Sequence, residues 1–228
     1  MEDFIMNIEA VIFDMDGVIT DTEKYYNRTW PVAFAALGYT DFTREDALAQ
    51  RSLNHEDAQK LWGSRYGKDF SFEEVHKYNT KLVLKLMEEE GIQAKPGINE
   101  LLSFLRENHI RAAVATATKL ERALPRLATV GLENAFDTVI SASMVKKGKP
   151  HPDVYLHACK ELGVEPSHCI ALEDSPNGIR SAHSAGCITV MVPDLTMPTP
   201  EDEKLIYGWA KDLSAVIPII QEIESAPL

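Results

Sequence analysis

Five short runs of this chain are apolar from end to end, where a strand with one wet face would alternate. They are Ala10–Phe13, Ala112–Ala115, Thr138–Ile140, Cys169–Leu172 and Ile188–Val192, and they are rich in β-branched residues. A strand shielded on both faces belongs to the middle of a parallel sheet covered by helices, so these runs dictate an α/β fold. Segments of helical periodicity fall between them, at Ile98–Asn108, Glu121–Val130, Pro152–Leu162 and Asn177–Ala185. Gly163 and Gly186 follow the last two, where a helix C-terminus is expected.

The spacing of the runs has one irregularity. Asp21–Gly91, between the first run and the second, is far too long for a simple crossover and holds no clear strand. It therefore reads as a unit of its own. Trp30, Phe34 and Leu37, then Leu61 and Trp62, then Val75, Leu82, Leu86 and Met87 predict amphipathic helices packed as a small bundle. Pro96-Gly97 marks the return to the sheet. The expected architecture is a Rossmann-like parallel sheet core with helices on both faces, residues 1–20 and 92–228, interrupted by an α-helical cap domain, residues 21–91. Pro193–Pro200 reads as a surface loop.

A chain of 228 residues, 45% hydrophobic, buries a substantial core without staples. Its 23 Lys and Arg against 35 Asp and Glu give a net charge of −12, which repels nucleic acids and anionic membranes. A phosphorylated small molecule is accepted only where cations are gathered locally. Cys159, Cys169 and Cys187 are odd in number, far apart and set among apolar neighbours, as buried thiols in a reducing compartment are. No run approaches the ~18 apolar residues of a membrane span. Met1-Glu2-Asp3 is acidic where a secretory signal is basic, so a cytoplasmic location is expected. With no exposed apolar stripe evident, a monomer is the default.

In an open parallel sheet the ligand site lies at the carboxyl ends of the strands. The first run ends in Asp14-Met15-Asp16-Gly17, two carboxylates on the same side of an extended chain, with a glycine where the backbone turns. Such a pair is costly unless a metal, a lysine or a shared proton compensates. The second run ends at Thr116, the fourth at Glu173-Asp174, and Gly148-Lys149-Pro150 stands between them. Taken singly, Thr116 is a satisfied hydroxyl, Glu173-Asp174 a helix cap and Lys149 a solvated charge. Their convergence on one sheet edge is what points to a site. Lys146, Lys147 and His151 read as loop residues.

Asp14-Met15-Asp16-Gly17-Val18-Ile19-Thr20-Asp21-Thr22, Thr116, Lys149-Pro150 and Glu173-Asp174 together resemble the four motifs of the haloacid dehalogenase-like phosphatase superfamily, in order and spacing. The resemblance spans essentially the whole chain, and the helical insertion resembles the cap of its β-phosphoglucomutase-like and phosphoglycolate phosphatase-like branches. It implies a phosphatase acting on a small phosphorylated metabolite. Asp14 is then the nucleophile that forms an aspartyl-phosphate and Asp16 the acid/base. Asp14, Asp16 through its carbonyl, Asp174 and Glu173 are the implied ligands of Mg²⁺. Lys149, Thr116 and the Ala117 N–H are the implied phosphate contacts. Arg51, His55, Tyr26 and Lys77 are the cap's candidates for touching substrate, Arg51 foremost, against a plainer reading as surface or packing. Asn177 either orients the site or starts a helix.

Two further functions remain open in the sequence. A β-phosphoglucomutase-like enzyme would return the phosphoryl group to a sugar hydroxyl, and Thr20-Asp21-Thr22 followed by Tyr25 fits it. That branch places a histidine after the tyrosine, where this chain has Tyr26. A non-catalytic phosphate-ester-binding protein has no need of the costly Asp14/Asp16 pair.

Overall fold

The computed structural model describes residues 7–225. The acidic Met1-Glu2-Asp3 start, and the outermost residues of the expected core, lie outside them. The five apolar runs are strands: β1 (Ala10–Phe13), β2 (Arg111–Thr116), β3 (Thr138–Ser141), β4 (Cys169–Glu173) and β5 (Ile188–Met191). A two-residue β6 (Gly208–Trp209), too short to leave a pattern in the sequence, completes the sheet. The order is β3-β2-β1-β4-β5-β6, and all neighbours run parallel.

β1 is central and pairs with both β2 and β4, Phe13 standing level with Val114 and Leu172. The chain winds outward on one side through β2 and β3, then on the other through β4 to β6. The carboxyl ends of β1, β2 and β4 therefore meet at the reversal, where a crevice opens.

Helices cover both faces. Val11 and Phe13 face α5 (Ile98–Glu107), α6 (Leu120–Thr129) and α9 (Val216–Ser225), in a core with Ile98, Leu101, Leu127 and Ile220. Ala10 and Ile12 face the opposite way, toward Val154, Ala158 and Ala182 of α7 (Asp153–Leu162) and α8 (Pro176–Ser184). Burying one such aliphatic side chain contributes about 1.5–3 kcal/mol, so the apolar runs have no stable alternative with a face in water. Cys159, Cys169 and Cys187 are all buried, the first two with Sγ atoms 3.7 Å apart.

The interval between β1 and α5 holds four helices: α1 (Glu23–Ala36), α2 (Arg44–Ala49), α3 (His55–Tyr66) and α4 (Phe72–Glu90). Thr43, Asn54 and Ser71 cap α2, α3 and α4 with their side chains, which is why the chain enters those helices there. The four share an aromatic core. Phe34 stacks on Phe42 with ring centroids 3.7 Å apart, and Trp30, Trp62, Phe70 and Phe72 close around them. The expected core is corrected at two positions: Leu37, just past the end of α1, and Leu61 are exposed. The indole of Trp62 takes the inward place beside Leu61.

Candidate active site

β1 hands its last paired residue to a turn. The Asp14 N–H still donates to Leu172 O at 2.9 Å, holding Asp14 in the line of the sheet, and the chain then reverses through Gly17. Gly17 has φ +91°, a left-handed conformation that L side chains resist. Its missing side chain is also needed: a Cβ there would lie 2.6 Å from Asp174 Oδ2. Gly178 serves in the same way on α8, since a Cβ there would collide with the Glu173 carboxylate.

Lys149 crosses this floor with its side chain fully buried, Nζ lying 2.5 Å from Asp14 Oδ1 and 2.6 Å from Glu173 Oε1. Tyr155 donates its hydroxyl to the same Glu173 oxygen at 2.5 Å. Burial works against the Lys149 ammonium, but Asp14 and Glu173 more than offset it and its pKa is raised. Burial pushes the Asp14 carboxyl well above its ordinary value, with Lys149 pulling it back. Asp174 is pushed up to about 7 by burial, against the pull of Arg51.

Asp14, Glu173 and Asp174 each offer an oxygen within 4.8 Å of the others. Glu173 Oε2 and Asp174 Oδ1 are buried and have no hydrogen-bond partner among the described residues. An unpartnered buried carboxylate oxygen is expensive, and two of them beside Asp14 are the donor set that a hard divalent cation takes.

A cavity of about 310 Å³ opens above, between the sheet edge and the helical insertion. Asp14, Asp16 and Lys149 line its floor, Ala117 one wall, and Arg51, His55 and Tyr26 the side of the insertion. Thr116 does not face it: the hydroxyl is buried and accepts the Thr118 N–H at 3.0 Å, shaping the turn that exposes Ala117. Glu173 and Asp174 lie beneath the floor. Lys77 is exposed and outside the cavity lining. Lys146 and Lys147 are exposed, in the loop expected of them, and His151 stands in the following turn with Nε2 3.4 Å from Asp57.

Arg51 is neither surface nor simple packing. It donates to Asp174 Oδ2 at 2.9 Å and to Thr196 at 2.5 Å, so the loop after Pro193 reaches back to the site. Asn177, at the start of α8, donates to the carbonyls of Ala49 and Arg51 and holds the end of α2, with Arg51, in place. Four residues have roles here that the sequence did not assign them, Thr22 among them although it lies in the first motif. Glu23 is a buried carboxylate on the cavity wall, its pKa raised by burial and then by Asp174. Thr22, Thr118 and Arg126 all bond Asp16. Arg126 left a signal in the sequence, a charged residue on the face of α6 that buries Ala123 and Leu127. The others look like ordinary polar residues at helix starts.

The chain is similar to known proteins over most of its length. The family model described as haloacid dehalogenase-like hydrolase matches residues 8–186. Protein CbbY of Cereibacter sphaeroides is 36% identical over 195 residues, covering 82% of this chain and 84% of that protein. Hexitol phosphatase B of Escherichia coli K12 is 33% identical over 188 residues, with 82% and 84% covered. The crystal structure of a β-phosphoglucomutase from Clostridium difficile superposes with a TM-score of 0.79 at 29% identity, over 95% of this chain and 97% of that one. Among the described residues no helix is long and apolar enough to cross a membrane.

Proposed function

This chain is an enzyme that belongs to the haloacid dehalogenase-like hydrolase family, and we propose that it is a Mg²⁺-dependent phosphatase of a small phosphorylated metabolite. The observation that carries the reading is the Lys149 ammonium shared by Asp14 and Glu173 on the cavity floor, beside two carboxylate oxygens with no partner. Asp14, Asp174, the Asp16 carbonyl and Glu173 would hold Mg²⁺. Once bound, the ion offsets the negative charge of the phosphate and of the carboxylates around it.

Asp14 attacks phosphorus in line, the ester P–O bond breaks, and Asp16 gives its proton to the departing oxygen. Water then attacks the aspartyl-phosphate, passing its proton to Asp16, and the bond to Asp14 breaks as phosphate leaves. Lys149 neutralises the repulsion between nucleophile and phosphate, and the Ala117 N–H is placed to receive a phosphate oxygen. Stabilisation of the three equatorial oxygens is the larger part of such catalysis. The helical insertion, contributing Arg51 and Tyr26 to the cavity, excludes water from the first step.

The test is Mg²⁺-dependent phosphate release from a panel of phosphorylated metabolites that includes β-glucose 1-phosphate. Release from one compound well above the rest, lost with a chelator and in Asp14→Asn, supports the reading and identifies the substrate. A mutase reading has the β-phosphoglucomutase fold match behind it. Conversion of glucose 1-phosphate into glucose 6-phosphate without matching phosphate release favours it over the phosphatase.

A further inference from the structure

Asp16 is held from three sides. Thr22 Oγ1 donates to its Oδ1 at 2.5 Å, Arg126 Nη1 donates to the same oxygen at 2.7 Å, and Thr118 Oγ1 donates to Oδ2 at 2.7 Å. A carboxylate has about four lone-pair sites. Both on Oδ1 are filled and one on Oδ2 is filled, so a single Oδ2 position is left for the cavity that Asp16 lines.

Of the three donors only Arg126 is charged and rigid. It is 5% exposed, Asp16 is its ion-pair partner, and its other branch, Nη2, donates to the Tyr26 hydroxyl at 2.9 Å. A guanidinium fork holds its two acceptors in one plane at a fixed angle, whereas a hydroxyl or an ammonium rotates about its stem. Tyr26 faces the cavity and Arg126 does not. The arginine thus reaches the substrate through its partners, Asp16 and the more distant Thr118 at 3.4 Å on the sheet-edge side and Tyr26 on α1 of the insertion.

We propose that Arg126 is a positioning residue for proton transfer: it occupies Asp16 Oδ1, so that Oδ2 carries the proton to the departing oxygen and takes it back from water. The proposal rests on the phosphatase reading above. Its Tyr26 branch ties the orientation of Asp16 to the seating of α1, so the proton carrier is set when the insertion is in place.

The experiment compares kcat/KM for two esters in the Mg²⁺-loaded protein: p-nitrophenyl phosphate, whose leaving group needs little protonation, and the alkyl phosphate that the wild type hydrolyses fastest. Arg126→Met is expected to lose about 100-fold or more on the alkyl ester and under about tenfold on the aryl ester. Arg126→Lys should recover part of the loss. Adding Arg126→Met to Asp16→Asn should cost nothing further on the aryl ester. Equal losses on both esters, or a full additional loss in the Asp16→Asn background, overturn the proposal. If Arg126→Met does not fold, Arg126→Lys decides by the same ratio of esters. A wild type that releases phosphate from neither ester overturns the phosphatase reading itself, a result distinct from a wild type that is active and an Arg126 variant indifferent to the leaving group.

Discussion

Arg51 and Asp174 lie 123 positions apart in the chain and meet as a buried ion pair, Nη1 to Oδ2 at 2.9 Å, with side chains 3% and 1% exposed. The pair joins the helical insertion to the sheet edge at the acidic centre. Removing one partner of a buried pair usually costs about 3–5 kcal/mol, because a charge is left behind. Here Asp174 already sits near a pKa of about 7 and takes a proton when the arginine goes. Arg51→Met is therefore expected to destabilise the metal-free protein by less, about 2–3 kcal/mol. Added Mg²⁺ should raise the melting temperature more in the variant than in the wild type. Thermal melts with chelator and with Mg²⁺ measure both; an equal Mg²⁺ effect would show that the ion and the guanidinium do not share Asp174.

Lys149 makes a different case, because two carboxylates depend on it. Lys149→Met keeps the volume and leaves Asp14 and Glu173 facing each other without the ammonium now 2.5 and 2.6 Å away. Turnover should fall by about 100-fold or more, the scale of losing one donor to a developing charge. Burial already raises the Asp14 carboxyl and Lys149 pulls it back, so without the ammonium Asp14 holds its proton to higher pH in the folded state than in the unfolded one. The folded variant then binds more protons, and its stability falls as pH rises. Denaturant melts in chelator between pH 5 and pH 8 should show the wild type ahead of the variant by a margin that grows with pH. A constant margin would mean that Lys149 acts through packing alone.

What the sequence discloses follows from the range over which each residue acts. Asp14, Asp16 and Glu173-Asp174 stand at the ends of apolar runs, so knowing the strands is enough to bring them to one edge. Arg126 and Glu23 are different. Arg126 joins the site only because α6, remote in sequence, packs against the β1 turn, while Glu23, close in sequence, reads as an ordinary acid in a helix first turn until α1 is seated at the cavity. β6 and α9 escaped for a plainer reason, being a two-residue strand and a helix whose inward face shows only once the sheet is assembled. Leu37 and Leu61 carry the right periodicity but face water, because nearby aromatic rings of larger area fill a small core first.

His76 sets the acid limit of the insertion. Its ring lies 4.3 Å from His55, centroid to centroid, and 6.0 Å from Trp30. Burial first, then His55, Arg122 and Lys119, lower its pKa to about 4 from an ordinary 6.5. Between those values the unfolded chain binds the proton and the folded one does not. Stability from this group is thus complete above about pH 6.5 and is lost as pH falls toward 4. Allowing for partial exposure, the loss is about 2 kcal/mol. His76→Gln should flatten this slope, so the stability difference between wild type and variant must change over pH 6.5 to 4. If it is constant in denaturant melts across that window, His76 does not set the limit.

Gly17 and Gly131 separate backbone strain from intrusion on the carboxylates. Both have positive φ, +91° and +74°, but a Cβ at Gly17 would lie 2.6 Å from Asp174 Oδ2 and 3.1 Å from Glu23 Cγ, while a Cβ at Gly131 meets nothing within 4 Å. Alanine at either position carries a strain of about 1–3 kcal/mol. Only at position 17 must Asp174 also move, and Asp174, like Glu173, contributes an unpartnered buried oxygen beside Asp14. Gly131→Ala should lower the melting temperature and leave the half-saturating Mg²⁺ concentration of phosphate release unchanged. Gly17→Ala should lower the melting temperature further and raise that concentration by about tenfold or more, since a tenfold change needs only about 1.4 kcal/mol at the ion. Equal Mg²⁺ requirements in the two variants would remove Asp174 from the ligand set and leave Asp14 and Glu173 as the carboxylates that hold the ion.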